Sequence, residues 1–335
     1  MTAGPAPFGR MPDGRAVERF RIAGGRLTAD ILTYGATVQD LRLDGIGHPL
    51  VLGAPELAPY LQRMPYFGAI VGRFANRIAG GRFRLDGRDC RTDRNFRGRH
   101  TLHGGSIGTG QRLWQLQALR DDSATLALDL ADGEMGFPGA MQVTATYTLT
   151  ADDALQVEIA AETDAATPCS FAHHSYFNLD GGADICGHRL RVDADRYLPV
   201  DADLIPAGQP APVAGTPFDF RTPRPIGRHG IDHNFCLSDV APAADAPLRT
   251  VARLSGTAGG LHMDIETAQP GLQAYDGAQF DGLPGLEGRR YGAFAGITLE
   301  SQAWPDAPNR PDFPAAILRP GQRYRNLTRY VFGRD

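Results

Sequence analysis

The sequence contains no lysine, because all 34 basic residues among its 335 are arginine. Schiff-base aldolases, pyridoxal enzymes and P-loop nucleotide hydrolases depend on a lysine amine, so these classes are excluded. The basic residues are nearly balanced by 38 acidic ones, for a formal net charge of −4. Since no basic stripe is present to attract phosphate backbones, we do not expect a nucleic-acid partner.

Clustered cysteines and long apolar runs are also missing. No C-x-x-C pair and no clustered His/Cys spacing occurs, so we expect buried, reduced thiols, no metal and no cofactor. No run of about 18 apolar residues is present, and the segment from Met1 to Arg21 lacks the apolar core of a signal peptide. A cytoplasmic protein without a membrane partner is therefore expected. The four cysteines are Cys90, Cys169, Cys186 and Cys236.

Glycine and proline are abundant, together about a fifth of the chain, which predicts many turns. Between the turns, apolar and polar residues alternate as in half-buried antiparallel strands, most clearly over Met141–Leu149. A helical pattern is limited to Pro55–Met64, about two turns at most. The alternation recurs in Leu126–Leu130, Leu155–Ile159, Leu261–Ile265 and, more loosely, Ala293–Leu299.

These patterns predict an all-β fold, a large antiparallel β-sandwich with few short helices. No repeat at a fixed period is present, which disfavours a propeller or a solenoid. No Pro/Ser-rich linker divides the chain, and all-β domains often exceed 200 residues. We therefore expect one domain over residues 1–335.

Several histidines lie in segments that could form a site. His103 precedes a glycine pair, where the backbone can approach a ligand closely. In extended geometry His173 and His174 face opposite ways, so only one of them can point into a given cleft. The segment Asp232–Asn234 places an acid, an imidazole and an amide at a loop-to-strand boundary, although taken alone an Asx-turn explains that pattern better.

Glu300 ends an unusually apolar predicted strand. Strand alternation places it on the face opposite Ile297 and Leu299. Such a carboxylate is either a solvated edge charge or a base in a cleft. The small neighbours Gly296 and Thr298 leave room above the sheet, which favours the cleft. The predicted face of Glu300 also carries Phe294, Gly296 and Thr298.

Eight short segments, in order along most of the chain, resemble the aldose 1-epimerase (galactose mutarotase) family. The resemblance implies a large antiparallel β-sandwich with an open sugar cleft on one sheet. It also implies the interconversion of the α and β anomers of an aldose without metal or cofactor. The segments are Gly72–Ala79, Leu102–Gly105, Gly136–Gly139, His174–Leu179, Leu198–Asp201, Gly215–Phe220, Asp232–Phe235 and Leu299–Gln302, the last followed by Pro305–Ala307 and Asn309.

The resemblance also assigns roles to individual residues. It implies that Glu300 is the general base and His174 the general acid. Residues that bind the sugar would be Arg77, His103 and Asp232, and Asn76 is a further candidate for a hydroxyl contact. Sugars favour aromatic faces, so Tyr176, Phe280 and Trp304 are candidate platforms, although each fits the core better.

The chain departs from the family pattern at the loop before His103. It reads Asn95–His100 there instead of an Asn-Gly-Pro-Asn-like turn, and His173 and Ser301 replace the family's usual Asn and Thr. Arg97, Arg99 and His100 would add positive charge near the cleft.

Three functions remain open from the sequence. The first is a mutarotase acting on a neutral, galactose- or glucose-like monosaccharide as a monomer or homodimer. The second is a sugar-binding module without catalysis, which the retention of both Glu300 and His174 disfavours. The third is an epimerase of a phosphorylated or acidic sugar, with Arg77, Arg97 and Arg99 as an anion clamp.

Overall fold

A computed structural model describes residues 4–334. It is built almost entirely of antiparallel strands, as the alternating pattern predicts. Met141–Leu149 is a strand whose apolar positions are buried and whose polar positions are more exposed. Met1 to Ala3 and Asp335, which the single-domain prediction includes, lie outside the described residues.

Three sheets form the body of the fold. The first, of four strands, contains Ala6–Arg10, Ala16–Gly24, Leu27–Leu32 and Thr37–Leu43. The second, of nine strands, runs in the spatial order Gln115–Leu119, Ser123–Leu130, Met141–Leu149, Ala154–Thr163, Tyr324–Arg334, Leu261–Thr267, Arg249–Ser255, Arg189–Val192 and Arg224–Pro225. The third, of six strands, runs in the order Tyr176–Phe177, Ile297–Gln302, Gly271–Tyr275, Asp232–Cys236, Arg196–Tyr197 and Ala211–Pro212.

Short strand pairs and turns complete the secondary structure. The pairs are Ile70–Val71 with Ala172–His173, Arg77–Ile78 with Thr101–Leu102, Arg82–Leu85 with Arg88–Arg91, Thr167–Pro168 with Ile317–Leu318, and Leu283–Pro284 with Arg290–Tyr291. The α-helix Leu57–Gln62 confirms the short helical prediction. Single 3₁₀ turns lie at Ala79–Gly81, Thr109–Gln111, Glu134–Gly136, Leu286–Gly288 and Ala307–Asn309. Among residues 4–334, no helix is both long and apolar enough to cross a membrane.

The largest apolar core lies between the sheets. It joins Ile22 of the four-stranded sheet, Val143 of the nine-stranded sheet and Leu299 of the six-stranded sheet. Hydrogen bonds also fasten the last two sheets together, because Tyr330 donates to the Leu299 carbonyl at 3.2 Å and Asn326 to the Ser301 carbonyl at 2.8 Å. These contacts hold the strand Ile297–Gln302 against a rigid layer. The proposal of one domain is supported by this shared core.

Two expectations near Glu300 need correction. The strand begins at Ile297, because Phe294 adopts a left-handed conformation with φ of 64° and forms a turn. Gly296 leaves no open space either, since a Cβ there would lie 2.8 Å from Leu52 Cδ1 and 3.1 Å from Tyr176 Cβ. The alternation within the strand itself is confirmed: Ile297 and Leu299 lie in the core, and Thr298 and Glu300 share the other face.

The cysteine prediction is partly wrong. All four thiols are free, and Cys169 and Cys236 are buried as expected. Cys90 and Cys186 are only partly buried, because Cys90 lies in a two-stranded hairpin and Cys186 in a turn.

Candidate active site

Glu300 lies on the face of the six-stranded sheet that points away from the core. Its side chain is 2% exposed. One carboxyl oxygen, Oε1, accepts a hydrogen bond from Thr298 at 3.2 Å, and the other has no partner among residues 4–334. Burial, reinforced by the nearby carboxylate of Asp232, raises the pKa of Glu300 to about 8. A buried carboxyl with one unpaired oxygen is a candidate proton carrier.

His174 is the partner of Glu300. Its Nε2 lies 3.6 Å from Glu300 Oε1, and both side chains are buried. Burial lowers the pKa of His174 to about 4. His173 faces the opposite way, as predicted: its ring packs against Tyr147 and Tyr330.

Asp232 is held by two donors on neighbouring elements. Arg77 Nη2 donates to its Oδ2 at 3.2 Å, and Gln273 Nε2 donates to its Oδ1 at 2.6 Å. The Asn76 side-chain oxygen in turn accepts from the Arg77 backbone N–H at 2.9 Å. Within residues 4–334 the buried Arg77 Nε has no partner, so one donor remains for a ligand.

His103 is fixed by the backbone around it. Its Nδ1 accepts a hydrogen bond from the Asn76 N–H at 3.2 Å, which leaves the ring proton of neutral His103 on Nε2. Burial lowers its pKa well below the usual value, so the ring is neutral at pH 7. The following Gly104 has φ of +85°, and a Cβ there would meet the Gly72 carbonyl oxygen at 2.0 Å. The glycine pair thus permits a close backbone approach, here to another chain segment.

These side chains line one cleft of about 280 Å³. All six residues that the sequence singled out, Glu300, His174, Arg77, His103, Asp232 and Asn76, contribute to its wall. Of the three candidate aromatic platforms, only Tyr176 lines it. Trp304 is buried against Phe313, and Phe280 packs behind Tyr176.

Sequence reasoning missed Gln273, which holds Asp232, and several residues of the cleft wall. Gln273 faces Glu300 directly across the paired strands, and its isolated polar position between Leu272 and Ala274 is the signal that could have identified it. Tyr66 packs its ring 4.8 Å from that of His103 but stands in no distinctive motif. The remaining residues that were missed are Phe96, Leu102, Leu204, Tyr275 and Gln279.

Each of the three arginines near the cleft has a carboxylate partner. Arg77 is paired with Asp232. Arg97 and Arg99 both pair with Asp203, at 2.7 and 2.8 Å. Asp203 therefore offsets one of these two positive charges, and the sequence pattern did not show that it lies beside this loop.

One group of side chains has the composition of a metal site. Ligand atoms of His103, His174 and Glu300 all lie within 4.8 Å of one another. Metal-binding histidines normally donate their second ring N–H to an acceptor. His103 instead accepts a hydrogen bond at Nδ1, so its protonated Nε2 has no lone pair for a metal ion. The donor set therefore fits proton transfer better than metal binding.

Comparison with known proteins gives a consistent result. A family model described as aldose 1-epimerase matches residues 18–331. Galactose mutarotase from Rattus norvegicus is 42% identical over 339 residues, which cover 97% of each chain. Aldose 1-epimerase from Escherichia coli (strain K12) is 34% identical, with 96% of each chain covered. The crystal structure of an aldose epimerase homologue from C. elegans matches with a TM-score of 0.88 at 29% identity, covering 95% of this chain and 99% of that chain.

Proposed function

The chain belongs to the aldose 1-epimerase family, whose members interconvert the α and β anomers of a monosaccharide, and we propose that Glu300 and His174 perform this reaction here. The observation that carries the proposal is the buried pair itself, with His174 Nε2 3.6 Å from Glu300 Oε1. The pair lies in a cleft beside donors and acceptors suited to sugar hydroxyls.

The proposed reaction is an acid–base opening of the sugar ring. Glu300 removes the proton of the C1 hydroxyl while His174 protonates the ring oxygen, so the C1–O5 bond breaks and an aldehyde forms. Rotation about C1–C2 and closure of the ring give the other anomer. During closure, Glu300 returns a proton to the C1 oxygen and His174 removes one from O5. Each positioned proton transfer typically accelerates a reaction by about 10²–10⁴.

A single proton on the pair suffices for both halves of the reaction. Since the pKa of Glu300 is raised to about 8 and that of His174 is lowered to about 4, the pair carries one proton between these values. In the empty cleft that proton lies on Glu300. This is also the proton distribution that follows ring opening, so we propose that burial of the pair favours the open-chain intermediate.

The other four residues of the site are proposed to hold the sugar. Arg77 offers its unpartnered Nε–H, and neutral His103 offers its Nε2–H. Asp232 and Asn76 accept hydrogen bonds from hydroxyl groups. Fixing the ring in this way supplies the positioning component of catalysis.

The charges around the cleft favour a neutral aldose. Each nearby arginine already pairs with a carboxylate, and the wall contains the acidic groups of Asp232 and Glu300. Arg77 and Arg97, the arginines of the wall, each have a carboxylate partner, and Arg99, which shares Asp203, is not among the lining residues. A sugar phosphate or sugar acid would therefore meet the carboxylate of Asp232 without an unpaired guanidinium in the wall. A binding module without catalysis is disfavoured, because it would not require a carboxyl group buried at a cost in free energy.

Polarimetry of pure anomers tests the proposed function. Freshly dissolved α-galactose and β-glucose should equilibrate faster with the protein than without it. The rate should be the same after the protein has been treated with EDTA and desalted. Galactose 6-phosphate and galacturonic acid should react poorly, and they should not inhibit the reaction of galactose. If activity vanished with EDTA and returned with a divalent ion, the metal-free mechanism would be wrong, and strong competition by inorganic phosphate would favour the anionic substrate.

The compartment and the oligomeric state remain proposals. The four free thiols support a reducing compartment such as the cytoplasm. A monomer or homodimer stays a prediction.

A further inference from the structure

Thr298 is buried beside the proposed base on the same strand. It lies two positions before Glu300 in Ile297–Gln302, so the two side chains share the face of the sheet that points away from the core. The Thr298 hydroxyl donates to Glu300 Oε1 at 3.2 Å. Since Thr298 is fully buried, water does not compete for this hydrogen bond.

Within residues 4–334, no other donor reaches the carboxyl group of Glu300. Its Oε2 has no partner, and His174 Nε2 lies 3.6 Å from Oε1, beyond hydrogen-bond distance. The hydroxyl of Thr298 is itself held in place, because branching at Cβ restricts the χ1 angle of threonine. Thr298 is therefore the group that fixes the carboxyl before a sugar binds.

This hydrogen bond acts differently on the two protonation states of Glu300. A hydroxyl donor stabilises a carboxylate more than a neutral carboxyl group, so it favours the ionised form. Thr298 therefore opposes burial and the nearby charge of Asp232, which raise the pKa of Glu300. Arg77 acts in the same direction as Thr298, but its charge is shared with Asp232.

The other titratable and charged groups around Glu300 come from several elements. Asp232 and Arg77 form an ion pair. Burial lowers the pKa of His174 to about 4 and that of His103 well below its usual value, so both are neutral near pH 8. Burial raises the pKa of the neighbouring tyrosines, so they are neutral there too. These tyrosines are Tyr66, Tyr176, Tyr275 and Tyr330.

We propose that Thr298 is a positioning residue that keeps Glu300 available as a base. Proton transfer from the sugar requires a charged Glu300 and a protonated His174, whereas in the empty cleft the proton lies on Glu300. By stabilising the carboxylate, the Thr298 hydroxyl increases the fraction of the pair that is ready to react. The inference rests on the proposed function.

Thr298→Val tests the inference, because valine has nearly the same shape but cannot donate a hydrogen bond. The alkaline limb of kcat/KM, near pH 8 in wild type, should move up by about 0.5–1 pH unit, because the carboxylate loses its donor. On the plateau, kcat/KM for galactose should fall, by at most about 3- to 10-fold, the factor that corresponds to that shift. KM should stay within about twofold, since no proposed sugar-binding group is changed.

Two further variants separate the hydrogen bond from packing. Thr298→Ser keeps the hydroxyl and removes the methyl group, so the limb should stay within about 0.2 pH units of wild type. Thr267→Val is the matched control. Thr267 is also fully buried, but its hydroxyl donates to the Leu327 carbonyl on the nine-stranded sheet. This variant should keep the wild-type profile even if it lowers the thermal stability.

The inference fails if Thr298→Val lowers the rate without moving the alkaline limb, because Thr298 would then serve the fold alone. It also fails if Thr298→Ser or Thr267→Val moves the limb as far as Thr298→Val does. Wild-type protein without activity on galactose or glucose would instead overturn the proposed function, on which the inference rests.

Discussion

Replacing Glu300 with glutamine is expected to lower kcat by about 10²-fold or more while sugar affinity changes little. Glutamine keeps the size of the side chain and an acceptor for the Thr298 hydroxyl, but it cannot carry the proton of the C1 hydroxyl. The fold should persist, because the variant removes a carboxyl group that burial disfavours in its charged form. Initial polarimetric rates across sugar concentrations give kcat, and calorimetry gives the Kd for the sugar.

Glu266→Gln is the matched control for this variant. It removes a carboxylate that pairs with Arg329 on the nine-stranded sheet, so mutarotation should be unaffected. Near-native kcat in Glu300→Gln would remove the central residue from the mechanism.

Replacing Asp232 with alanine is expected to act mainly on KM. The substitution deletes a proposed acceptor of sugar hydroxyls and leaves Arg77 and Gln273 without their shared partner. If the contact is made equally to substrate and transition state, a loss of about 1–3 kcal/mol should appear as a KM raised about 5- to 150-fold. The same variant removes a negative charge beside Glu300, so the pKa of that carboxyl group should fall.

The matched control here is Asp219→Ala, which removes a carboxylate paired with Arg221. It should leave KM unchanged. If Asp232→Ala abolished kcat while Glu300→Gln retained it, the two roles assigned to these residues would be reversed.

The strands could be predicted because alternation of apolar and polar residues is a local pattern. The six candidate site residues could be predicted from the resemblance to a known family. Alternation over Met141–Leu149 requires only that one face of a strand is buried. His173 and His174 separate because neighbouring residues in extended chain face opposite sides. The same argument placed Glu300 opposite Leu299, although it failed at Phe294, where the chain turns.

Contacts between distant segments could not be predicted from local sequence patterns. Gln273 reaches Asp232 only through the pairing of two strands whose register is not a local property. Asp203 neutralises Arg97 across 106 positions of sequence. The sequence shows that both charges exist, but only the tertiary fold brings them together, and this pairing weakens the alternative of an anionic substrate.

The pH dependence of kcat/KM tests the proton-sharing pair most directly, because this parameter reports the free enzyme. Below about pH 4 the pair binds a second proton, on His174. Glu300 then stays protonated and cannot act as base. Above about 8, Glu300 loses the only proton and no acid remains. These limits belong to the pair as a whole.

The account predicts a bell-shaped profile with a plateau between the two limbs, near pH 4 and pH 8, and an alkaline limb that disappears from the residual activity of Glu300→Gln. Its matched control, Glu266→Gln, should keep the wild-type profile. A wild-type profile that stays flat from pH 5 to pH 10, or an alkaline limb that survives unchanged in Glu300→Gln, would contradict the claim that this buried pair transfers the proton.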